Sequence, residues 1–243
     1  MSAIKIEGLT KRYRDVLAVD RLSLCIEEGE LFSLLGVNGA GKTTTIKMLS
    51  CLTEPTEGDA YLLGKSIRKD AADVKSLIAV SPQETAVAPA LSVRENLEFI
   101  CGVNGFSKQK RREKIAELTE LLGLDSMINR KAGKLSGGWK RRLSIAMALI
   151  SEPQILFLDE PTLGLDVLAR HELWEQIRAL KGKTTVILTT HYLEEAEALC
   201  DRIAILAGGK LITVGTAAEI KALAGKESFE DAFVALCAGG VQK

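Results

Sequence analysis

The segment Gly36-Val37-Asn38-Gly39-Ala40-Gly41-Lys42-Thr43 constrains this chain more than any other. It has the form G-x-x-x-x-G-K-[ST] and lies between an apolar run at 31–35 and a helical pattern through Leu49. Glycines there let backbone N–H groups turn inward around phosphate oxygens. The positive end of the next helix adds to that attraction. Lys42 can reach β- and γ-phosphates, and the Thr43 hydroxyl can ligate Mg²⁺. The context of strand, loop and helix calls for an α/β core.

The rest of the chain agrees. Short apolar runs alternate with helical patterns, which points to a largely parallel sheet. The expected strands are 4–9, 22–26, 31–35, 59–63, 78–80, 155–158, 185–189, 203–206 and 211–214. The first few follow one another with no helix between them, so a small antiparallel sheet is expected near the N-terminus. From 91 to 151 there is no convincing strand. Ser92 with Glu95 forms a capping-box pattern, and Ile115, Leu118, Leu121 and Leu122 repeat at helical spacing. This stretch reads as a helical subdomain inserted between 1–90 and 152–243 of a single domain spanning 1–243. A second capping box, Thr216 with Glu219, opens a late helix. The basic run 108–114 reads as a solvated helix start.

Asp159-Glu160 follows the apolar run 155–158, at the strand end where open α/β sheets bind ligands. Asp159 is suited to hold Mg²⁺, and Glu160 to orient and deprotonate an attacking water. Leu135-Ser136-Gly137-Gly138 precedes another helical pattern, with Leu143, Ala146, Met147 and Ile150 on one face. Ser136 is a candidate cap, and the glycines leave that helix start open to an anion. One nucleotide already has a complete loop at Gly36–Thr43. The second anion site makes sense where the nucleotide is met from another side or another molecule.

Thirty-two basic and thirty-two acidic residues give a formal net charge of zero, which argues against a nucleic-acid partner. The five cysteines are odd in number, and their spacing suits neither a metal site nor a disulfide framework. A reducing cytosol is the expected home. Met1–Glu7 lacks the basic and apolar segments of a secretory signal. No apolar run approaches the ~18 residues of a membrane-spanning helix.

Together these motifs resemble the ATP-binding subunit of an ATP-binding-cassette (ABC) transporter, over essentially the whole chain. The resemblance implies a P-loop NTPase (RecA-like) core and ATP with Mg²⁺ as ligands. It implies that Tyr13 stacks on adenine and that Gly36, Asn38, Gly39, Ala40, Gly41, Lys42, Thr43 and Thr44 cradle phosphates. It implies that Gln83 touches Mg²⁺ alongside Thr43 and Asp159, and that His191 contacts the γ-phosphate. Asp166, in Gly164-Leu165-Asp166, would lie in a loop crossing a dimer interface. Two copies are expected to face head to tail, each ATP lying between Gly36–Thr44 of one and Ser136, Gly137 and Gly138 of the other. A separate membrane permease is the expected partner, which places the chain at the cytoplasmic face of the cell membrane.

Finer similarity, in 140–143, 190–197, 200–203 and 228–233, is to prokaryotic ABC-2-type exporters. Many of these run longer at the C-terminus, so no fused regulatory domain is expected. Trp139 replaces the usual glutamine of the signature, and Val167 stands where proline is common. Two other readings remain at this point. A soluble ABC ATPase could regulate another complex, and a P-loop kinase could act on a small molecule. The kinase leaves Leu135–Gly138 and His191 without a role.

Overall fold

The computed structural model describes residues 2–240. Met1 and 241–243, the ends of the expected 1–243 domain, lie outside the described residues.

Two sheets organise the molecule. An antiparallel sheet has the order β2-β1-β4-β5, from β1 (Ser2–Tyr13), β2 (Val16–Glu27), β4 (Glu57–Leu62) and β5 (Lys65–Ser66). A second sheet has the order β10-β9-β3-β8-β7-β6. Its strands are β3 (Leu31–Leu35), β6 (Ile78–Ser81), β7 (Ile155–Asp159), β8 (Thr185–Thr190), β9 (Arg202–Ala207) and β10 (Lys210–Gly215). Strands β6, β7, β8, β3 and β9 run parallel, and β10 returns antiparallel beside β9.

Every residue of β3, β7 and β8 is buried, as expected for parallel strands covered on both faces. Side chains alternate between faces with period two. Ile155 and Phe157 of β7 pack with Leu9, Leu22 and Leu62 of the antiparallel sheet. Leu156 and Leu158 pack with Leu97, Leu143 and Ile145 of the helices. Each fully buried Leu or Phe contributes roughly 1.5–3 kcal/mol, so the two clusters fix β7 from both sides.

The N-terminal strands are longer than the expected 4–9 and 22–26. Register shifts near Leu9 and Lys11 break the period-two pattern, and Gly8 has φ 59°. The alternation therefore fades from the sequence while the ladder continues to Tyr13. Strand β5 gave no apolar run to read. The remaining expected strands lie within one or two residues of those observed.

Between β6 and β7 come α3 (Val93–Val103), α4 (Lys108–Leu121) and α5 (Gly137–Leu149). Only an isolated bridge, Ser92 with Lys131, interrupts the helical character there among the described residues. Both capping boxes form, at Ser92/Glu95 and Thr216/Glu219. The others are α1 (Lys42–Leu49), α2 (Ala71–Leu77), α6 (Val167–Arg178), α7 (Leu193–Leu199), α8 (Ala217–Ala224) and α9 (Phe229–Gly240). The architecture is α/β, with an antiparallel β subdomain and an inserted α-helical subdomain.

Candidate nucleotide site

Parallel strands deliver their following loops to one edge of a sheet. Here β3 leads to Gly36–Thr44, β7 to Asp159-Glu160, β8 to His191 and β6 to Gln83. A cavity of about 470 Å³ opens at that edge. Its lining includes Asn38, Gly39, Ala40, Gly41, Lys42, Thr43 and Thr44 with Gln83, Glu160 and His191. That volume lies within the usual range for small-molecule sites.

Two glycines are sterically required in the loop. A Cβ at Gly36 would sit 2.4 Å from the Leu206 carbonyl oxygen. One at Gly41, where φ is 98°, would sit 2.5 Å from the Ala18 carbonyl oxygen. The second contact seats the loop against β2, which explains why Val16, Leu17 and Ala18 also line the cavity. Sequence reasoning missed this wall, as it missed Leu163, because it arises from packing between distant segments.

Lys42 is 5% exposed. Its ammonium donates to the carbonyls of Gly36 at 2.6 Å and Val37 at 3.3 Å, and lies 3.4 Å from a Glu160 carboxylate oxygen. His191 Nδ1–H donates to the other Glu160 oxygen at 2.8 Å, since an ionised carboxylate only accepts. Glu160 thus bridges Lys42 and His191. Its backbone lies in the left-handed region at φ 48°, and its N–H donates to Thr189 Oγ1 at 2.9 Å. A non-glycine residue held there costs about 1–3 kcal/mol and persists only where its surroundings impose it.

Asp159 Oδ1 accepts from Thr189 Oγ1 at 2.5 Å and Thr43 Oγ1 at 3.1 Å. The Thr43 hydroxyl, the Asp159 carboxylate and the Gln83 amide offer hard oxygen donors, the set Mg²⁺ prefers. Thr43 already touches Asp159, and Thr43 and Gln83 share the cavity wall. The residues fit that ion. No group of three or more His, Cys, Asp or Glu side chains is placed to hold a metal among the described residues.

Several expected residues stand apart. Tyr13 is 44% exposed at the end of β1 and does not line the cavity; Lys11 Nζ lies 5.0 Å from its ring centre. Ser136, Gly137 and Gly138 are likewise absent from the lining. Ser136 occupies the N-cap position of α5 with extended backbone, yet its side chain makes no cap hydrogen bond. This corrects the capping expectation: Ser136 is exposed, with its hydroxyl not committed to the helix end. Asp166 caps α6, accepting from the Ala169 N–H at 2.9 Å. Trp139 is half-buried against the helical core, with the Arg142 guanidinium 4.6 Å from its ring centre.

A phosphate-cradling loop, a buried Lys42 and a paired Asp159-Glu160 at one edge of a parallel sheet define a P-loop nucleoside triphosphatase. A family model described as ABC transporter matches residues 19–163, and the chain belongs to that family as an ATP-binding ATPase subunit. It is 44% identical over 217 residues to the Nod factor export ATP-binding protein I of Burkholderia orbicola (strain AU 1054), covering 88% of this chain and 71% of that one. A solved ATP binding subunit of an ABC transporter matches with TM-score 0.85 and 29% identity, over 96% of this chain and 99% of that one. The dimeric post-hydrolysis structure of the ATP-binding cassette MJ0796, bound to ADP and Pi, matches with TM-score 0.79 and 28% identity, over 88% and 98%.

Proposed function

We propose that this chain powers export of an unidentified substrate through a separate membrane permease, acting as a homodimer at the cytoplasmic face of the cell membrane. No helix among the described residues is long and apolar enough to cross a membrane, so the permease would supply the crossing. Export is supported by the 44% identical relative, which is named as a Nod factor export ATP-binding protein. The carrying observation is a separation within one chain. Lys42, Gln83, Glu160 and His191 meet at one cavity, while Ser136–Gly138 open α5 outside its lining. A second copy placed head to tail would bring its α5 start to this ATP, with Tyr13 against the adenine and Asp166 near the interface. Residues 91–151 would then act as a unit against 1–90 and 152–243.

Thr43, Asp159 and Gln83 would hold Mg²⁺, which when bound neutralises charge on the β- and γ-phosphates. Lys42 places a second positive charge on the same oxygens. Glu160 takes a proton from the attacking water, whose oxygen bonds to the γ-phosphorus as the bond to the bridging oxygen breaks. The products are ADP and phosphate. His191, held to Glu160 through Nδ1, would contact the γ-phosphate with the other side of its ring. Positioning and electrostatics supply most of the catalysis in such a transfer.

Glu160→Gln tests this reading. Turnover should fall by about 10²-fold or more, the contribution of a general base. Light scattering should show a dimer of this variant that forms only with ATP. Full ATPase activity in Glu160→Gln would end the base assignment, and a monomer at saturating ATP would end the homodimeric composite site.

A further inference from the structure

Helix α5 carries a buried cation that the mechanism above does not use. Arg141 is 4% exposed. Its guanidinium donates to the main-chain carbonyls of Pro82 at 2.6 Å, Gln83 at 2.7 Å and Glu160 at 3.1 Å. Two of these acceptors belong to the loop that carries Gln83. The third belongs to Glu160, the residue held at φ 48°. Three residues further along α5, the hydroxyl oxygens of Ser144 and Ser81 lie 3.0 Å apart, so the helix also grips the end of β6. Burying a charge is costly unless it finds hydrogen-bond partners, and here the three acceptors are main-chain carbonyls of two site loops. A planar guanidinium fork can serve several acceptors at fixed angles, which a lysine ammonium cannot reproduce.

We propose that Arg141 is a positioning residue that clamps the Gln83 loop and the Glu160 turn to the helix beginning at Gly137. It does not line the cavity itself. It fixes where the Glu160 carboxylate and the Gln83 amide stand when water attacks. A further consequence rests on the composite-site reading. Ser136–Gly138 serve the ATP held by the other copy, whereas Gln83 and Glu160 serve the ATP held by this chain. Arg141 joins the two, so occupancy of one site reaches the geometry of the other.

The test uses the full chain as Arg141→Lys and Arg141→Gln, with Ser144→Ala as a milder variant that unpairs no buried charge. Binding of a fluorescent ATP analogue to the isolated chain should stay within about twofold, because Lys42 and the phosphate loop are untouched. In both Arg141 variants kcat should fall about tenfold or more, the scale expected when a catalytic group is misplaced by less than 1 Å. Lysine should rescue no better than glutamine, since the fork rather than the charge does the holding. Ser144→Ala should lower kcat by about twofold with KM unchanged.

A kcat within twofold of the parent in Arg141→Lys overturns the clamp, even if its melting temperature falls. If the Arg141 variants do not fold, an unchanged kcat in Ser144→Ala overturns it. The Hill coefficient for ATP, where it exceeds 1 in the parent, should fall toward 1 in Arg141→Lys; an unchanged value overturns the coupling. A Glu160→Gln chain that stays monomeric with ATP overturns the composite reading and the coupling, while the kcat result still decides the clamp.

Discussion

On the phosphate-loop side, Lys42, Asp159 and Glu160 are only 5%, 6% and 6% exposed, and each has a defined partner within the chain. On the signature side, Ser136 and Gly137 are exposed, and the Ser136 hydroxyl makes no bond to the helix it precedes. Both places present backbone N–H groups at a helix start, so both attract anions. They differ in what surrounds that start. The first is finished by neighbouring strands of its own sheet. The second has its polar groups turned outward, where a partner can use them. One chain therefore carries one helix start enclosed by its own sheet and another left open.

Breaking the enclosed side should have the largest effect. Lys42→Ala removes the ammonium that lies 3.4 Å from Glu160 and contacts the Gly36 carbonyl at 2.6 Å. ATP turnover should fall by about 10²-fold or more, as for loss of a preorganised electrostatic donor. Phosphate release measures this, and activity within threefold of the parent would remove Lys42 from the machinery.

Breaking the open side should act differently. A Cβ at Gly137 has only Leu165 Cδ2 near it, at 3.7 Å, so Gly137→Asp is accommodated within the chain. Fluorescent-ATP binding to the isolated chain should be unchanged. Under the proposed composite site, turnover should fall about tenfold or more, because a like charge facing the partner's phosphates would cost several kcal/mol. ATP-dependent dimerisation should be lost. If Gly137→Asp weakens nucleotide binding by the isolated chain instead, the two sides are not separate.

Trp139 sharpens the contrast. It packs on the core of its own helices and carries Arg142 over its ring, which is the work of a folding residue. Trp139→Gln should lose about 0.5–1 kcal/mol from that cation–π contact. The melting temperature should fall by roughly 2–4 °C per kcal/mol, with ATP-dependent dimerisation retained. Calorimetry and light scattering on one sample decide it. Loss of the dimer with no change in melting temperature would move Trp139 to the interface.

This difference also explains what the sequence disclosed. Gly36–Thr43 was readable because a loop built to turn backbone N–H groups around an anion needs a local pattern of glycines and a lysine. The runs 31–35 and 155–158 were readable because a strand buried on both faces must be continuously apolar. Arg141 was not readable. In Lys140-Arg141-Arg142 it looks like one more surface cation, and only the fold turns it toward three carbonyls. The wall at Val16–Ala18 was hidden for the same reason, since Ala18 meets Gly41 only after β2 is seated. Glu160 was legible as a carboxylate, but nothing in its neighbours announced the left-handed backbone that aims it.

The smallest effect separates the helical segment from the core by pH. Glu95 closes the capping box of α3, and its hydrogen bonds to the Ser92 backbone, Lys131 and the Ser92 hydroxyl pull its pKa down from 4.5 to about 2. Its contribution to stability is complete above pH 4.5 and is lost as pH falls through about 2. Glu195, fully buried near the start of α7 and accepting from the Trp174 indole N–H at 3.1 Å, has the opposite sign. Burial raises its pKa, and the nearby Thr190 and Thr162 hydroxyls and Trp174 indole pull it down by less. The folded chain holds that proton to higher pH than the unfolded chain, so its contribution is complete below pH 4.5 and declines as pH rises through the folded pKa. Glutamine titrates at neither place. Relative to the parent, Glu195→Gln should therefore gain melting temperature as pH is raised from 4.5. Glu95→Gln should be the less stable chain near neutrality and approach the parent as pH is lowered toward 2. Melting curves from pH 3 to 9 check both slopes. If the two differences run in the same direction, the helical segment and the core do not hold their carboxylates by opposing means.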